Sequence, residues 1–245
     1  MSDNPGLSPL EAEAPPPLAS GPTGGDVLIA LGAIIGAFSL LILATLLLSG
    51  REGDWGMVAQ IAVGNAVLLA GIGALLARRG SHLAVLLGLT ALKRRQAIVA
   101  ALVGGGAGFG MAAALYVLQT WTGLHIHATQ RTLLSTADLS PGEIAILVLL
   151  VGLTGPAIEE LVFRGVLFGW LRRWIGPWLG ALASAIPFGL LHLPAGQAVW
   201  ATLFGLLLAI LYQRFGSLWA PMLAHSANNC LTLAVIFTAV RGVPG

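Results

Sequence analysis

Three ionisable residues stand close together within a long apolar stretch of the sequence. Glu159, Glu160 and Arg164 follow Pro156 in a segment otherwise made of apolar and small residues. A charged side chain at the centre of a membrane span costs about 3 kcal/mol, so such residues usually face a cavity or a partner. Glu160 and Arg164, four residues apart, can form an ion pair on one helical face, and that pair alone is as compatible with a structural role as with a functional one. Glu159 is rotated by about 100° from Glu160 and is available as a general base.

Two further residue pairs recur at a spacing of four. Phe188 precedes His192, and His225 precedes Asn229. At this spacing, both members of a pair lie on one face of a helix. A single histidine in an apolar helix is more often a packed core residue than a catalyst, but two histidines, an amide and an acidic pair in one region favour a catalytic site. Amide hydrolysis needs a base for water and donors for the developing oxyanion, and these side chains include both.

The three groups resemble the motifs of the CAAX protease and bacteriocin-processing (CPBP) family of intramembrane peptidases, also called the Abi or Rce1-like family. The motifs are Glu-Glu-x-x-x-Arg, Phe-x-x-x-His and His-x-x-x-Asn, and all three match in order without a substitution. The resemblance covers roughly residues 140–240. It implies an intramembrane peptide hydrolase with its catalytic cavity inside the membrane.

The resemblance also implies a role for each motif residue. Glu159, assisted by His192, would activate water, and His225 with Asn229 would stabilise the oxyanion. Glu160 completes the predicted catalytic set. The supporting residues are Arg164, which orders the neighbouring carboxylate, and Phe188, which packs beside the histidine.

Metal dependence has two alternatives at the level of sequence. Glu159, His192 and His225 could supply the three ligands of a catalytic zinc site, and the family is commonly labelled a metalloprotease. The chain lacks a His-Glu-x-x-His helix, so the familiar zinc-protease arrangement is absent. A zinc metalloprotease and a metal-free, glutamate-type protease are both compatible with these residues.

The composition places these residues in a membrane protein. Hydrophobic residues make up 57% of the chain and charged residues only 9%, with a mean hydropathy of +0.89, whereas soluble domains carry roughly 25% charged residues. We therefore predict an all-α, polytopic transmembrane helix bundle of seven to eight helices. Segment 81–92 is interfacial or half of an eighth span. The seven predicted spans, each near the length of about 20 residues that a bilayer requires, are 27–49, 57–77, 97–118, 143–171, 179–193, 199–213 and 217–239.

The sequence divides into three regions. Residues 1–25 are rich in proline and contain no Lys or Arg, which predicts a disordered tail. Residues 26–139 form the N-terminal transmembrane helices, and residues 140–245 form the catalytic transmembrane core. A capping-box pattern that begins at Ser140, with proline at the next position, predicts that a helix starts at about 141.

The distribution of basic residues predicts the orientation. Eight of them fall in one set of alternate loops and three in the other set, so the first set is predicted to be cytoplasmic. With seven spans the N-terminus is also cytoplasmic, and an eighth span would change this assignment. The first set comprises Arg78, Arg79, Lys93, Arg94, Arg95, Arg172, Arg173 and Arg214, and the second set comprises Arg51, Arg131 and Arg241.

Four residues outside the motifs have structural interpretations. Gly104 and Gly108 lie four apart in an apolar segment, a spacing that lets helices approach closely. Asn65 is predicted to form a hydrogen bond between helices. Cys230 is predicted to pack in the interior.

The predicted function is that of an intramembrane endopeptidase. It would cut a membrane-associated peptide or protein substrate, as a multi-pass protein of the bacterial inner membrane. The net charge of +2, with basic residues beside the spans, favours lipid headgroups over nucleic acid as the partner. The alternative is a non-catalytic membrane protein for bacteriocin immunity or protein binding. A transporter is disfavoured because the polar residues are confined to the C-terminal half.

Overall fold

A computed structural model describes residues 21–48, 55–80, 82–122, 139–192 and 195–241. The predicted all-α class is confirmed, since these residues contain helices and no strand. Residues 1–20 of the predicted tail lie outside the described residues. The eight helices of the described part, which fit the predicted count of seven to eight, are α1 (Gly24–Leu48), α2 (Trp55–Arg79), α3 (His82–Leu86), α4 (Arg94–Thr122), α5 (141–168), α6 (Gly169–Leu190), α7 (Ala195–Phe215) and α8 (Trp219–Arg241).

Length, composition and surface identify an integral membrane protein. Within the described residues, three helical segments are long and apolar enough to cross a membrane, namely Ile61–Arg79, Pro141–Leu190 and Gly196–Phe215. Many large apolar side chains point outward, where hydrocarbon suits them better than water does. The membrane spans predicted in α1, α4 and α8 stay predictions. The location in the bacterial inner membrane also stays a prediction.

Helix α6 continues directly from α5, and the helical path stays unbroken until Gly176 within α6. This glycine adopts φ +78° and ψ 170°, and Pro177 follows it, so the helical path breaks there. The break separates the two spans predicted at 143–171 and 179–193. The predicted end at 193 is wrong, because α6 ends at Leu190 and His192 lies just beyond the helix.

Helix α5 departs from regular α-helical geometry on both sides of the acidic pair. It starts at Pro141 behind the predicted capping box of Ser140, which is confirmed. Val148–Thr154 and Leu161–Phe168 are π-helical, and the short α-helical stretch Gly155–Glu160 between them carries both glutamates. Such wide turns occur frequently at functional sites, because they re-aim side chains and free backbone carbonyls.

Helices α4 and α8 pack closely through glycines. A Cβ atom added at Gly104 would overlap the backbone of Ala224, and one added at Gly108 would overlap the side chain of Asn228. The prediction that these two glycines permit close helix approach is therefore confirmed. Helices α1 and α2 form a second close pair, which also packs against α5.

The segment predicted as interfacial or as half of a span contains the short helix α3. Its five residues are too few to cross a bilayer. The following turn, with Gly88 at φ +66°, lies against the connection between α7 and α8. The Tyr212 hydroxyl donates to the Leu87 carbonyl at 3.0 Å, and the Leu218 amide donates to the Gly88 carbonyl at 2.8 Å.

A polar cluster joins the start of α1 to the end of α2. Asp26 is 1% exposed, and both of its carboxylate oxygens accept hydrogen bonds from Arg79. The Thr23 amide and hydroxyl donate to the same carboxylate at 2.7 and 2.8 Å, and Arg78 lies 3.3 Å from it. Burial alone raises the pKa of Asp26, but the hydrogen bonds from Arg79 and Thr23 outweigh it and lower that pKa to about 2.

This N-terminal cluster agrees with the predicted orientation of the loops. Arg173 donates to the Pro22 carbonyl at 3.3 Å, while Arg78 and Arg79 bind Asp26. The start of α1 therefore lies at the same end of the molecule as three arginines of the predicted cytoplasmic set. Which side of the membrane that end faces stays a prediction.

Candidate active site

The acidic pair on α5 splits into one enclosed and one accessible carboxylate. Glu160 is fully buried, whereas the side chain of Glu159 is 28% exposed. Glu160 Oε1 accepts a hydrogen bond from Arg164 Nη1 at 2.7 Å and lies 2.9 Å from His225 Nδ1. The predicted ion pair is thus present, and it engages one carboxylate while the other stays accessible.

Arg164 connects α5 to α7. Its Nη2 atom donates to the Gly205 carbonyl at 3.0 Å, and its guanidinium carbon lies 4.2 Å from the ring centre of Phe188. A Cβ atom at Gly205 would lie 2.8 Å from Arg164 Nη2 and 2.9 Å from the Phe188 ring. A glycine is therefore required at this position of α7. No sequence pattern marks this glycine, because the need for it depends on which helices meet there.

His225 is held between two aromatic rings. The Phe188 and Phe204 ring centres lie 5.8 and 5.7 Å from the imidazole centre, both in edge-to-face geometry. A carboxylate only accepts hydrogen bonds, so the contact with Glu160 places a proton on Nδ1. The other nitrogen, Nε2, faces Glu159 Oε2 at 3.9 Å, which is too long for a direct hydrogen bond.

His192 is oriented by the backbone of α6. Its Nδ1 atom lies 2.8 Å from the Phe188 carbonyl oxygen. A carbonyl oxygen also only accepts, so Nδ1 carries the proton and the lone pair of Nε2 is free. The rings of Phe188 and His192 pack with their centres 4.7 Å apart. The predicted packing of Phe188 beside the histidine is therefore observed.

Glu159 and His192 line one cavity of about 120 Å³. The other lining residues are apolar, and α1 and α2 contribute three of them, which no sequence pattern had marked. The structure thus places His192 in the same cavity as Glu159, whereas His225 lies outside the cavity lining and faces both glutamates. The apolar lining residues are Ile34, Ala37, Leu68, Val162, Phe163 and Leu191.

Asn229 lies against the first π-helical turn of α5. Its Nδ2 atom donates to the Val151 carbonyl at 2.9 Å, and Asn65 of α2 donates to the adjacent Leu150 carbonyl at 3.3 Å. The predicted interhelical hydrogen bond of Asn65 is confirmed. Asn229 does not line the cavity that contains Glu159, so its oxyanion role stays a prediction. The sulfur of Cys230 packs beside the same turn, as predicted, at 3.7 Å from the Gly152 carbonyl oxygen.

Three buried side-chain atoms of the site have no hydrogen-bond partner among the described residues. They are Glu159 Oε2, Glu160 Oε2 and Arg164 Nε. A buried charged group without a partner costs at least about 1–3 kcal/mol. Proteins keep such groups few, and unsatisfied ones often have a catalytic role. Glu159 Oε2 therefore retains an unused hydrogen-bond acceptor beside the His225 imidazole.

The predicted zinc ligands have suitable chemistry but not a suitable grouping. Among the described residues, no three His, Cys, Asp or Glu side chains lie close enough together to hold a metal ion. The Glu160 carboxylate already binds Arg164 and His225 through its Oε1 atom. Zinc at Glu159, His192 and His225 stays a prediction.

Comparisons with known proteins concern the same region. Residues 141–231 match the family model described as "Type II CAAX prenyl endopeptidase Rce1-like", and this range contains all three motifs. Over 98 residues the chain is 28% identical to "Putative membrane peptidase YdiL" of Bacillus subtilis (strain 168). That match covers 40% of this chain and 40% of the relative. No solved structure matches the chain. Residues 141–231 are therefore similar to the Rce1-like members of the CAAX protease and bacteriocin-processing family.

Proposed function

We propose that this chain is an intramembrane endopeptidase that hydrolyses a peptide bond in a membrane-associated peptide or protein. The observation that carries the proposal is that Glu159 and His192 line one cavity in an apolar segment. Behind them, Glu160, Arg164 and His225 form a buried hydrogen-bonded network. The Rce1-like match over residues 141–231 supports the same class of reaction.

Glu159 acts as the general base. It takes a proton from a water molecule in the cavity, and the water oxygen attacks the carbonyl carbon of the scissile bond. The resulting tetrahedral intermediate carries the negative charge on the former carbonyl oxygen. Glu159 then gives its proton to the amide nitrogen, the C–N bond breaks, and a carboxyl group and an amine are released. The free Nε2 lone pair of His192 accepts a hydrogen bond from the attacking water and orients it.

His225 stabilises the oxyanion. The contact with Glu160 fixes the ring so that Nε2 faces Glu159. In its imidazolium form, His225 donates through Nε2 to the oxygen that gains charge, and a low-dielectric site strengthens that interaction. Asn229 is the second proposed donor. One N–H of its amide is used by Val151, and the other N–H is available for this role.

Cleavage by matched variants tests the assignment of Glu159. The full chain is reconstituted in phosphatidylethanolamine and phosphatidylglycerol vesicles with a pool of palmitoylated peptides, and products are identified by mass spectrometry. We expect Glu159→Gln to lower kcat by about 10²–10⁴-fold, because it removes the base. Glu143→Gln is the matched control on the same helix, because Glu143 closes the capping box instead of lining the cavity.

Two results would contradict the proposal. Equal cleavage by wild type and Glu159→Gln excludes Glu159 as the base, and no cleavage of any peptide favours the non-catalytic binding alternative. A chelator arm addresses zinc. Activity that survives 1,10-phenanthroline supports the glutamate-type reaction, whereas loss that is restored by zinc supports the metalloprotease alternative.

A further inference from the structure

A groove lies between α6 and α7 on the outer surface of this helix pair. Its volume is about 160 Å³, and among the described residues it shares none with the cavity beside Glu159. Two small buried residues, Ala181 and Ala209, form its floor, and the exposed side chains of Trp178 and Ile210 form its walls. The remaining lining residues are Pro177, Gln213 and Arg214.

Exposed apolar side chains continue the walls of this α6–α7 groove. On α6, Trp178, Leu182 and Ile186 follow one another at a spacing of four, which places them along one helical face. On α7, Leu203 and Ile210 are exposed in the same way. In an integral membrane protein such a surface meets lipid hydrocarbon. A cavity of about 150 Å³ accommodates a benzene ring, so the 160 Å³ of the groove takes about six carbons of an acyl chain.

The end of the groove that carries Arg214 is positively charged. Arg214 is the one charged side chain among the described residues that line the groove. The guanidinium carbon of Arg172 lies 5.3 Å from the ring centre of Tyr212, which adjoins Gln213, so a second cation lies at the same end of the helix pair. Trp178 is 72% exposed beside them, and tryptophan is enriched where a membrane meets water. This end therefore suits a ligand that joins a negatively charged group to an apolar chain.

We propose that the α6–α7 groove binds one anionic phospholipid of the phosphatidylglycerol type. The lipid phosphate accepts hydrogen bonds from Arg214, because a guanidinium and a phosphate form strong charge-assisted pairs. One acyl chain lies over Ala181 and Ala209, beside Trp178, and continues along the exposed apolar rows. No acidic residue is among the described lining residues, so the headgroup supplies the negative charge. This binding site is independent of the proposed peptidase function.

Lipid binding to the full chain in detergent tests the charged contact. The purified protein is mixed with phosphatidylglycerol or with phosphatidylethanolamine at matched concentrations, and bound lipids are measured by native mass spectrometry. We expect the wild type to bind phosphatidylglycerol about fivefold more tightly, and Arg214→Gln to lose most of this preference, as the contribution of one basic residue to anionic-lipid binding predicts. Arg173→Gln is the matched control. It removes the same charge near the start of α6, but Arg173 donates to the Pro22 carbonyl and does not line the groove.

Two results of this experiment would overturn the proposal. The first is a wild-type protein without preference for phosphatidylglycerol. The second is an equal loss of preference in Arg214→Gln and Arg173→Gln, which would show a general attraction of anionic lipids to the basic end of the molecule. Circular dichroism of both variants checks that they retain the wild-type helix content, as expected for substitutions of exposed residues.

Fluorescence quenching tests the position of the acyl chain. The full chain is reconstituted in phosphatidylcholine vesicles that contain a small fraction of phosphatidylglycerol or phosphatidylethanolamine with one brominated chain. The contribution of Trp178 is the difference between wild type and Trp178→Phe. We expect brominated phosphatidylglycerol to quench this contribution about twofold or more above the phosphatidylethanolamine value.

The control for this measurement is Trp174→Phe. Trp174 is 74% exposed on the same helix but does not line the groove, so the two brominated lipids should quench its contribution equally. Equal quenching of Trp178 by both lipids would show that the groove takes any bilayer lipid and would overturn the proposal. Absence of quenching at Trp178 would overturn it as well, because protein, such as a second copy of the chain, would then cover the groove.

Discussion

Two buried clusters of carboxylates and arginines in this protein differ in how completely their polar atoms are paired. At the start of α1, Asp26 accepts hydrogen bonds on both oxygens from Arg79, and Thr23 adds two more. In the second cluster, Glu159 and Glu160 each retain a buried oxygen without a partner. The Asp26 carboxylate is almost as deeply buried as that of Glu160, but its hydrogen bonds leave nothing on it for a substrate to bind.

The difference separates a fully paired structural cluster from the proposed catalytic site. Complete pairing stabilises the junction between α1 and α2, since hydrogen bonds to charged groups contribute about 1.5–3 kcal/mol each. Incomplete pairing in the second cluster costs stability and leaves Glu159 with an unused hydrogen-bond acceptor, as its proposed role as a base requires. Burial of a charge alone is therefore a weaker sign of function than burial without full pairing.

Removal of the buried arginine should have the largest effect on stability. Arg164→Leu leaves Glu160 buried without its cation, and we expect a loss of about 3–5 kcal/mol in the free energy of unfolding. The matched variant Arg79→Leu should cost less, because Arg79 is 25% exposed and Arg78 still pairs with Asp26. Thermal unfolding in detergent measures both. A double variant, Glu160→Gln with Arg164→Leu, should recover part of the loss, and equal losses for the two single variants would remove the proposed difference between the clusters.

Two asparagines, one from each half of the chain, bind the first π-helical turn of α5, and their variants distinguish a structural role from a catalytic one. Asn65 and Asn229 each donate one amide N–H to this turn of α5, so Asn65→Ala and Asn229→Ala should each cost about 1 kcal/mol of stability. We expect only Asn229→Ala to lower kcat by a further factor of about 10²–10³, as the loss of an oxyanion donor does. If both variants reduce kcat alike, Asn229 holds α5 in position and is not an oxyanion donor.

Neutralising one carboxylate in each cluster should change stability with opposite signs. Asp26→Asn removes satisfied ionic hydrogen bonds and should lower the free energy of unfolding by about 1–3 kcal/mol, whereas Glu159→Gln removes an unpaired buried charge and should raise it by about 1 kcal/mol. Thermal midpoints of the two variants in the same detergent test this. A decrease in both would show that Glu159 contributes to stability as Asp26 does.

The pH dependence of this Asp26 effect follows from its lowered pKa. The folded-state pKa is about 2, below the ordinary value of 3.8. The stabilisation is therefore complete above about pH 4 and is lost as the pH falls toward 2. The difference in thermal midpoint between wild type and Asp26→Asn should accordingly shrink over this interval and remain constant at neutral pH.

The amino-acid sequence by itself determined the class of protein and the chemistry of the site. The apolar composition predicted a membrane protein. The spacing of four residues along a helix predicted the contacts of Glu160 with Arg164 and of Phe188 with His192, because these contacts are local. The capping box of Ser140 is local in the same sense. The closely packed glycines of α4 were also predictable, since a lack of side chains serves few other purposes in an apolar helix.

The tertiary structure alone decided how those local elements meet. The requirement for Gly205, the binding of Asn229 to Val151 and the cavity wall from α1 and α2 all depend on contacts between residues far apart in sequence. The π-helical turns that flank the acidic pair also leave no periodic signal in an apolar segment. The physical reason is that a sequence pattern records which face of a helix is apolar or polar, whereas which atoms of two helices touch depends on how the whole chain packs.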